Sequence, residues 1–401
     1  MFLTACGAQE VPPAAPAPAP VTAETPQEEM ARLLAEYDAA PESAKAALSA
    51  RIDRVAGQRY AVWSRLYWHR DLAAAKAEAR ATGKPILSLR MLGRLDQDLS
   101  CANSRFFRVA LYANRSVSAY LRAHVVLHWS SERPVPVARI DFGDGRVLER
   151  TVAGNSAHYV LDAEGRPVDA LPGLYTPGLF LEALAAAEPV AARAGELDDD
   201  AQAALVAAFQ GDQAAAAAGR FATLGSIQPI DVRGSLANAE MRAVSKAAVE
   251  MPVVRSLALG TQLTLEEARE SELTGPLWSP IGAVLAERTG GYRLDAASRA
   301  LFASLRPADW ARAGQALPAA GVDSLINAFE AVMTRDAAYN ELVLHQQIRA
   351  RMAAAADGFE GLNQWIYASL FLTPAADPWL GMATPDAFTG LPGDGVVLAD
   401  R

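Results

Sequence analysis

The sequence has few of the residue types that build metal and cofactor sites. Its 401 residues include two cysteines and five histidines, and these are scattered rather than clustered, so we expect no metal site and no bound cofactor. The formal net charge is −9, which argues against a basic nucleic-acid-binding surface and against DNA or RNA as a partner. No apolar run of eighteen residues occurs, so no transmembrane helix is predicted. Glycine-rich phosphate loops and the GxSxG and HExxH motifs are also missing, which excludes the common nucleotide-binding and hydrolase classes.

Apolar residues, in contrast, are plentiful, and 51% of the chain is hydrophobic. A chain of this length can form two domains with sizeable cores that need neither disulfides nor metals. Changes in composition divide it into a Pro/Ala-rich tether at 1–24, a helical hairpin at 25–58, an α/β domain at 59–190 and an α-helical domain with an irregular tail at 195–401. An acidic run at 196–200 marks the last boundary.

The N-terminal residues Leu3-Thr4-Ala5-Cys6 resemble the bacterial lipobox, in which the cysteine is lipidated. The resemblance implies that Cys6 anchors the protein to a membrane of the cell envelope, on the periplasmic or surface side. The segment VPPAAPAPAPV at 11–21 is typical of an extended spacer between a lipid and a folded domain. The alternative, a chance match, stays open because few residues precede Cys6 and a signal peptide has an apolar core of about 7–15 residues.

The stretch at 84–104 places Cys101, the only cysteine of the predicted folded part, at the start of a helix. Residues 85–90 have period-two character and predict a strand, and apolar residues at helical spacing predict a helix over 103–120. A thiol at a helix N-terminus lies at the positive end of the backbone dipoles, which favours the reactive thiolate. The alternative is a buried cysteine that packs as a small hydrophobe.

Further strands and a helix follow this stretch. A β-rich apolar run predicts a strand at 124–129, and the Asp-Gly pair at 144–145 between alternating segments is a strong hairpin signal. The complete predicted order is therefore β, α, β, hairpin, β, β, α. The remaining strands are expected at 135–142, 146–152, 158–162 and 167–170, and the closing helix at 177–187.

Three motifs within 60–187 make this part of the chain similar to the thioredoxin-like fold family. They are ATGKPILSL, the CxxS tetrad Cys101-Ala102-Asn103-Ser104, and HYVLDAEGRPVDALPGLYTPGLFLEAL, which resembles the family's last hairpin and closing helix. The resemblance implies a central sheet flanked by helices, with the active edge at the start of the helix that holds Cys101. We therefore predict an α/β thioredoxin-like domain followed by a mostly α-helical C-terminal domain.

The sequence departs from the family in three ways that bear on chemistry. Ser104 occupies the place of the second, resolving cysteine, so no internal disulfide can form. Extra residues at 93–99 separate the strand from the cysteine. The family's cis-proline would fall at Ser156 or Ala157. These departures argue against ordinary disulfide reductase chemistry.

The segment that contains Asn155, Ser156 and His158 lies, by the resemblance, across from the helix start, so these side chains could approach Cys101. A Cys–His pair would give the thiol thiolate–imidazolium character. Together with Ser104, the cysteine and the histidine are the predicted site residues. Strand alternation leaves open whether the histidine ring points to the thiol or into the core.

Two functions from different classes are consistent with these residues. The first is an envelope-anchored protein that exchanges thiols and disulfides through the single thiol of Cys101, with protein thiols or small thiols as partners. The second is a redox-inert thioredoxin-like and helical scaffold that binds a protein partner at the cell surface. Alkylation of the thiol as a function of pH discriminates between them, because the thiolate is the nucleophile.

The region after residue 190 is predicted to be helical. Glu341 and His345 lie at i and i+4 on one helical face. Since no second histidine or cysteine is near, a partly buried hydrogen-bonded pair is favoured over a metal site. The aromatic residues expected in the core or at a domain contact are Trp365, Tyr367, Phe371 and Trp379. Helices are expected at 201–221, 235–257, 294–305, 322–334, 337–355 and 362–371, and an irregular tail from 373.

Overall fold

The structure is a computed structural model, and it describes residues 24–151, 155–223, 281–289, 291–305, 321–355 and 357–371. Several predictions concern other parts of the chain and lie outside the described residues. They are the lipidation of Cys6, the spacer at 11–21, the helix at 235–257, the role of Trp379 and the tail from 373.

The first half of the chain contains both helices and strands, and the described part of the second half is helical. The N-terminal helices are α1 (Pro26–Ala39), α2 (Glu42–Ala56), α3 (Ala61–Ser64) and α4 (Leu72–Thr82). The α/β part continues with β1 (Ile86–Leu92), α5 (Ala102–Phe107), α6 (Arg115–His124), β2 (Val126–Arg133), β3 (Val137–Asp141), β4 (Val147–Thr151), β5 (Ser156–Leu161), β6 (Pro167–Pro172) and α7 (Pro177–Ala194). The second half holds α8 (Asp199–Thr223), α9 (281–288), α10 (Ala296–Ser304), α11 (Gly321–Tyr339), α12 (His345–Ala354) and α13 (Phe359–Trp365).

The first two helices form a hairpin with a small core of its own. Thr25 caps α1, because its side-chain oxygen accepts a hydrogen bond from the Glu28 N–H and its own N–H donates to the Glu28 carboxylate. This capping box satisfies N–H groups that have no partner within the helix. The apolar faces of the two helices meet in a cluster around Leu33 and Ile52, which are fully buried. Both helices predicted for this part are confirmed.

The central sheet has four strands in the order β2-β1-β5-β6. β1 and β2 are parallel and are connected through α5 and α6, whereas β5 is antiparallel to β1 and β6 is antiparallel to β5. A parallel pair needs a long crossover connection, and an antiparallel pair can be joined by a tight turn. The order of elements predicted from the sequence fits this arrangement. The structure therefore confirms an α/β region with a mixed four-stranded sheet, followed by helices.

The strands β3 and β4 form a separate two-stranded sheet. Their turn contains Gly143 and Gly145, with φ angles of 76° and 88°, values that glycine adopts without steric cost. Between them, the Asp144 carboxylate accepts the Arg146 N–H at 3.0 Å. The hairpin predicted from the Asp-Gly pair is confirmed, and among the described residues it pairs with no strand of the central sheet.

The aromatic segment at 60–68 begins with the short helix α3. The buried carboxylate of Asp53 accepts the Ala61 N–H at 2.8 Å and fixes the start of this turn. The contact joins α2 to the segment that follows it. A pattern of aromatic residues could not reveal this, because the acceptor lies outside the segment.

The helix expected over 103–120 is divided into two. A π-helical turn at Arg108–Tyr112 follows α5, and Asn114 then starts α6 by accepting the N–H groups of Ser116 and Val117, each at 3.1 Å. Asparagine is among the best N-cap residues because its short side chain reaches these N–H groups. The apolar spacing thus continues through a helix boundary.

One continuous apolar core joins the two halves of the molecule. Phe359 of α13 packs against Tyr159 of β5 with ring centroids 5.0 Å apart. The Tyr159 hydroxyl donates a hydrogen bond to the Asn363 side-chain oxygen at 2.8 Å. The helical half therefore lies directly against the central sheet.

The helices predicted beyond residue 190 are confirmed where the structure describes them. Those expected at 322–334 and 337–355 are joined, because a π-helical turn at Asn340–Leu344 continues α11 into α12. A second π-helical turn, at Ile366–Leu370, extends α13. Among the residues described, none of the helices combines the length and the apolar character needed to cross a membrane.

Candidate functional site

Cys101 lies directly before a helix, as predicted, but its thiol is fully buried. Leu92 ends β1 and Cys101 precedes α5, and the loop between them is closed by a hydrogen bond from the Cys101 N–H to the Leu92 carbonyl oxygen at 3.1 Å. The exposed fraction of Cys101 is 0%, and its neighbours belong to the main apolar core. A dissolved disulfide therefore cannot reach the thiol in this conformation.

The Asp98 carboxylate helps to tie the loop at 93–100 to the N-terminal part of the chain. Arg59 donates two hydrogen bonds to Asp98, at 2.8 and 3.0 Å, and the Tyr60 hydroxyl donates a third at 2.9 Å. Arg59 also donates to Asp53 of α2 at 2.7 Å. Burial raises the pKa of Asp98, but the hydrogen bonds from Arg59 and Tyr60 outweigh burial and hold that pKa below its usual value. Charge-assisted hydrogen bonds thus fasten the loop that precedes Cys101.

Arg108 is a buried cation in the same region as Cys101. Its guanidinium donates to the carbonyl oxygens of Ser104 and Gln97, at 3.3 and 2.8 Å, and to Ser100 Oγ at 2.7 Å. All three acceptors are neutral. Burial lowers the pKa of Arg108 to about 10, so the group keeps its charge at neutral pH. The guanidinium is therefore a positive charge in the same buried region as the thiol.

Ser104, which has the position of a resolving cysteine, is also fully buried. Its hydroxyl oxygen lies 2.9 Å from the Cys101 carbonyl oxygen and 2.6 Å from Ser100 Oγ. Both contacts hold the side chain against the first turn of α5. The CxxS tetrad therefore has helical-turn geometry, and its hydroxyl is engaged with local acceptors.

His158 is buried among aromatic rings and is hydrogen-bonded to a tyrosine. Its Nε2 lies 2.7 Å from the Tyr112 hydroxyl, and the rings of Phe107 and Phe180 lie 4.5 and 5.0 Å away. Burial lowers the pKa of His158 to about 3, so the imidazole is neutral at physiological pH. Within the described residues, its Nδ1 has no hydrogen-bond partner. None of the hydrogen bonds among these residues joins His158 to Cys101, so the structure does not bring the expected Cys–His pair together.

The other two residues expected near the thiol, Asn155 and Ser156, are buried where β5 begins. The Asn155 carbonyl oxygen accepts a hydrogen bond from the Tyr367 hydroxyl, and the Asn155 side chain donates to the Phe371 carbonyl oxygen, both at 3.4 Å. Tyr367 and Phe371 thus contact the α/β half, as expected for domain-contact aromatics. The helical half covers this end of β5.

A second buried cluster is ionic. It consists of Asp169, Glu341, His345 and Arg349, and we call it the ion cluster. His345 lies between two carboxylates, with Nε2 2.8 Å from Asp169 on β6 and Nδ1 2.8 Å from Glu341. Arg349 donates to the other Glu341 oxygen at 2.9 Å. With His345 protonated, two positive and two negative charges balance in the interior.

The ion cluster fixes the protonation states of its members. Burial opposes every charge. For both Asp169 and Glu341, the attraction of His345 and Arg349 outweighs burial and lowers the pKa to about 2. Burial lowers the pKa of His345, and the two carboxylates outweigh burial and raise it. The surroundings of His345 therefore favour its protonation, whereas those of His158 oppose it.

Two of the four members of the ion cluster, Glu341 and His345, are predicted from the sequence. The buried, hydrogen-bonded pair of Glu341 and His345 is confirmed. Arg349 lies four residues further along the same helical face, so the spacing alone could have included it. Asp169 is 176 residues from His345 and lies on a strand, and no local pattern marks it.

Two grooves on the described surface are set apart from both buried clusters. Two surface grooves, of about 530 and 310 Å³, lie between α8 and α12 and between α1 and β2, and neither Cys101 nor His345 lines them. Within the described ranges, no group of three or more His, Cys, Asp or Glu side chains could hold a metal ion.

The arrangement can therefore do two things chemically. It shelters the Cys101 thiol near a buried cation, and it holds a neutralised ion cluster between the central sheet and the helical half. Comparisons with known proteins add no assignment, because no protein-family model, no curated protein and no solved structure matches this chain.

Proposed function

We propose that this chain is a thioredoxin-like and helical scaffold without redox activity, which binds a protein partner at the bacterial cell surface. The observation that carries the proposal is the complete burial of Cys101. Thiol–disulfide exchange requires a thiolate to attack a disulfide sulfur directly, so access controls its rate. A thiol without exposed surface offers no such access.

The order of elements around Cys101 supports the thioredoxin-like part of the proposal. β1 leads into the cysteine, α5 and α6 cross over to the parallel β2, and β5, β6 and α7 close the domain. The CxxS tetrad starts α5, which is the place that the family resemblance gives to it. The β3–β4 hairpin stands where the resemblance implies a helix.

The contacts of the helical half support a function that does not involve thiol–disulfide exchange. By the resemblance, a redox partner would approach the edge that holds Cys101 and the start of β5. Tyr367 and Phe371 already occupy hydrogen-bonding positions on Asn155 there. A protein partner must therefore bind at another surface.

The proposal includes a lipid anchor at Cys6, which lies outside the described residues. Bacterial lipoproteins resemble the multiply acylated case, in which membrane attachment is stable. We expect the full-length gene product to sediment with membranes and the Cys6→Ala variant to be released into the soluble fraction. Equal recovery of both proteins in the membrane fraction contradicts the anchor.

A second candidate function, monothiol exchange through Cys101 with protein or small thiols, is favoured by Arg108. This buried cation has only neutral hydrogen-bond acceptors and lies in the same region as the thiol. The exchange requires the loop at 93–100 to open, because the thiol is buried when the loop is closed.

The alkylation rate of Cys101 separates the two candidates. The assay uses a Cys6→Ser background, iodoacetamide and mass spectrometry, with Ala123→Cys as an exposed control thiol in the same folded protein. We expect the native Cys101 to react at least roughly 100-fold more slowly than the control, which corresponds to an opening free energy of about 3 kcal/mol. Equal rates in the native fold would overturn the scaffold proposal in favour of monothiol exchange.

A further inference from the structure

The β3–β4 hairpin carries exposed apolar side chains and open strand edges. Val137, Phe142 and Val147 are 44%, 52% and 41% exposed. Among the described residues, the two strands pair with each other and with no third strand. A two-stranded sheet is marginally stable by itself in water, and an open edge is a template for pairing with another chain. The hairpin is therefore suited to strand addition.

The ladder shows which backbone groups face the free edge of β3. The Phe142 N–H donates to the Arg146 carbonyl oxygen at 3.1 Å, so the even-numbered residues of β3 point their N–H and C=O groups at β4. Hydrogen-bonded pairs alternate along an antiparallel ladder. The odd-numbered residues, which include Arg139 and Asp141, therefore point their backbone groups away from β4. These residues are exposed.

The charges on this edge are self-complementary. If two copies of β3 pair antiparallel about a two-fold axis at Ile140, Arg139 of each copy faces Asp141 of the other. Moving the axis to Arg139 or to Asp141 puts like charges opposite each other. Opposite charges in cross-strand pairs are stabilising and like charges are destabilising. The axis at Ile140 is therefore the preferred register.

We propose that β3 is a self-association site, at which a second copy of this chain adds its own β3 to form a four-stranded sheet in the order β4-β3-β3-β4. The same surface of each copy forms the interface, as in other isologous dimers. The outward backbone groups of Arg139 and Asp141 supply the hydrogen bonds, and the two Ile140 side chains meet at the axis. The site is separate from Cys101, so it does not depend on whether the thiol is reactive.

The short length of β3 limits the affinity that we expect for self-association. β3 has five residues, so the strand pairing buries less surface than a stable dimer needs, and association should be weak and concentration-dependent. A concentration series is therefore the appropriate measurement.

Sedimentation velocity tests the association and its charge pattern. We expect the mass of the full chain to rise from 42.5 kDa toward twice that value as concentration increases. Arg139→Asp and Asp141→Arg should each abolish the rise, because each places like charges opposite one another. A mixture of the two variants should form a heterodimer, since both cross-strand pairs then have opposite charges. Circular dichroism checks that each variant is folded.

Two outcomes of the sedimentation series overturn the proposal. One is a parent that stays monomeric at every concentration, which would leave the edge to a different partner. The other is a single variant that associates as strongly as the parent. Arg139 also pairs with Glu149 of its own hairpin, at 2.5 Å, so a measurement without charge changes is needed as well.

A cysteine on the proposed axis provides that measurement. In a Cys6→Ser background, Ile140→Cys places two thiols at a non-hydrogen-bonded pair with Cα atoms about 4.5 Å apart, a separation that a disulfide spans. Ala138→Cys is the matched control on the same face, and its two copies would be about 13 Å apart along the strands. With diamide as the oxidant, we expect a covalent dimer from Ile140→Cys and none from Ala138→Cys. Equal dimer yields, or none from Ile140→Cys, contradict the pairing.

Discussion

Two histidines in this molecule are equally buried, and their pKa values are shifted in opposite directions. His158, in the α/β half, contacts one neutral hydroxyl and aromatic rings, and burial lowers its pKa to about 3. His345, in the helical half, has a carboxylate at each ring nitrogen, and these outweigh burial and raise its pKa. Desolvation by burial lowers the pKa of both rings. Hydrogen-bond partners, and not depth, therefore decide whether an interior histidine of this protein is charged.

The regions around the two histidines also differ in how a buried positive charge is compensated. Near Cys101, the cation Arg108 is satisfied by neutral oxygen atoms. In the ion cluster, charges of both signs are equal in number when His345 is protonated. An interior charge that loses its counter-charge is costly. Removal of one group should therefore damage the ion cluster more than the region around His158.

The substitution His345→Gln should have the largest effect. It removes one positive charge from beside Asp169 and Glu341, and breaking a buried ion pair costs about 3–5 kcal/mol. We expect the free energy of unfolding, measured by urea denaturation at pH 7, to fall by that amount. His158→Gln is the matched control, and the loss of a buried hydrogen bond should cost about 1–3 kcal/mol. Equal losses of unfolding free energy in the two variants would contradict the idea that the ion cluster is more sensitive to substitution than the region around His158.

The pH dependence of stability should have opposite signs at the two histidines. The pKa of His345 in the folded state is raised above 6.5, so its contribution to stability is complete below pH 6.5 and is lost as the pH rises through the folded value. The folded pKa of His158, about 3, lies below 6.5, so its contribution is complete above pH 6.5 and is lost as the pH falls toward 3.

Each variant isolates one of these contributions when it is compared with the parent. Between pH 6.5 and 4.5, the parent should lose up to about 2–3 kcal/mol of unfolding free energy relative to His158→Gln. Between pH 6.5 and 8.5, it should lose stability relative to His345→Gln. Urea denaturation midpoints at these pH values supply the data. A difference of the same sign for both variants would contradict the assigned protonation states.

Loosening the loop at 93–100 should have a smaller effect, confined to Cys101. Asp98→Asn weakens the bonds to Arg59 and Tyr60, and a partly exposed ion pair contributes about 1 kcal/mol. We expect the alkylation rate of Cys101 to rise roughly fivefold. Asp144→Asn, which changes an exposed carboxylate on the β3–β4 turn, should leave the rate unchanged. An unchanged rate in Asp98→Asn would show that another contact closes the loop.

The smallest effect is expected from Ser104→Cys. Both proteins carry Cys6→Ser. If Cys101 is sheltered, neither the Cys6→Ser parent nor this variant should form an adduct with a disulfide reagent in the native state, and mass spectrometry should find all free thiols intact. Monothiol exchange predicts instead that the parent keeps a long-lived adduct, and that the variant resolves it to a 101–104 disulfide. An adduct on the variant without an internal disulfide would contradict the helical-turn geometry of the tetrad.

Local signals in the sequence account for most of the elements. The period-two run before Cys101 and the Asp-Gly pair at 144–145 depend only on neighbouring residues, and the strand and the hairpin that they predict are both confirmed. The Glu341–His345 pair belongs to the same class, because a helix brings residues four apart onto one face.

The environment of the site, however, depends on contacts between residues distant in sequence. Asp98 is 39 residues from Arg59, and Tyr112 is 46 residues from His158. Strand alternation indicates which residues share a face of β5. It does not indicate whether the imidazole meets a thiol or a phenol. The burial of Cys101 likewise follows from loop closure, which no spacing in the sequence encodes.

The ion cluster also imposes an order of events during synthesis. Asp169 is synthesised 176 residues before His345. At a translation rate of about 5–20 residues per second, β6 waits roughly 9–35 s for the cation that neutralises its carboxylate. During this time the edge of the sheet cannot bury that carboxylate, because an unpaired interior charge costs several kcal/mol. The α/β half is thus translated before the cation that neutralises Asp169, and burial of this carboxylate awaits the synthesis of α12.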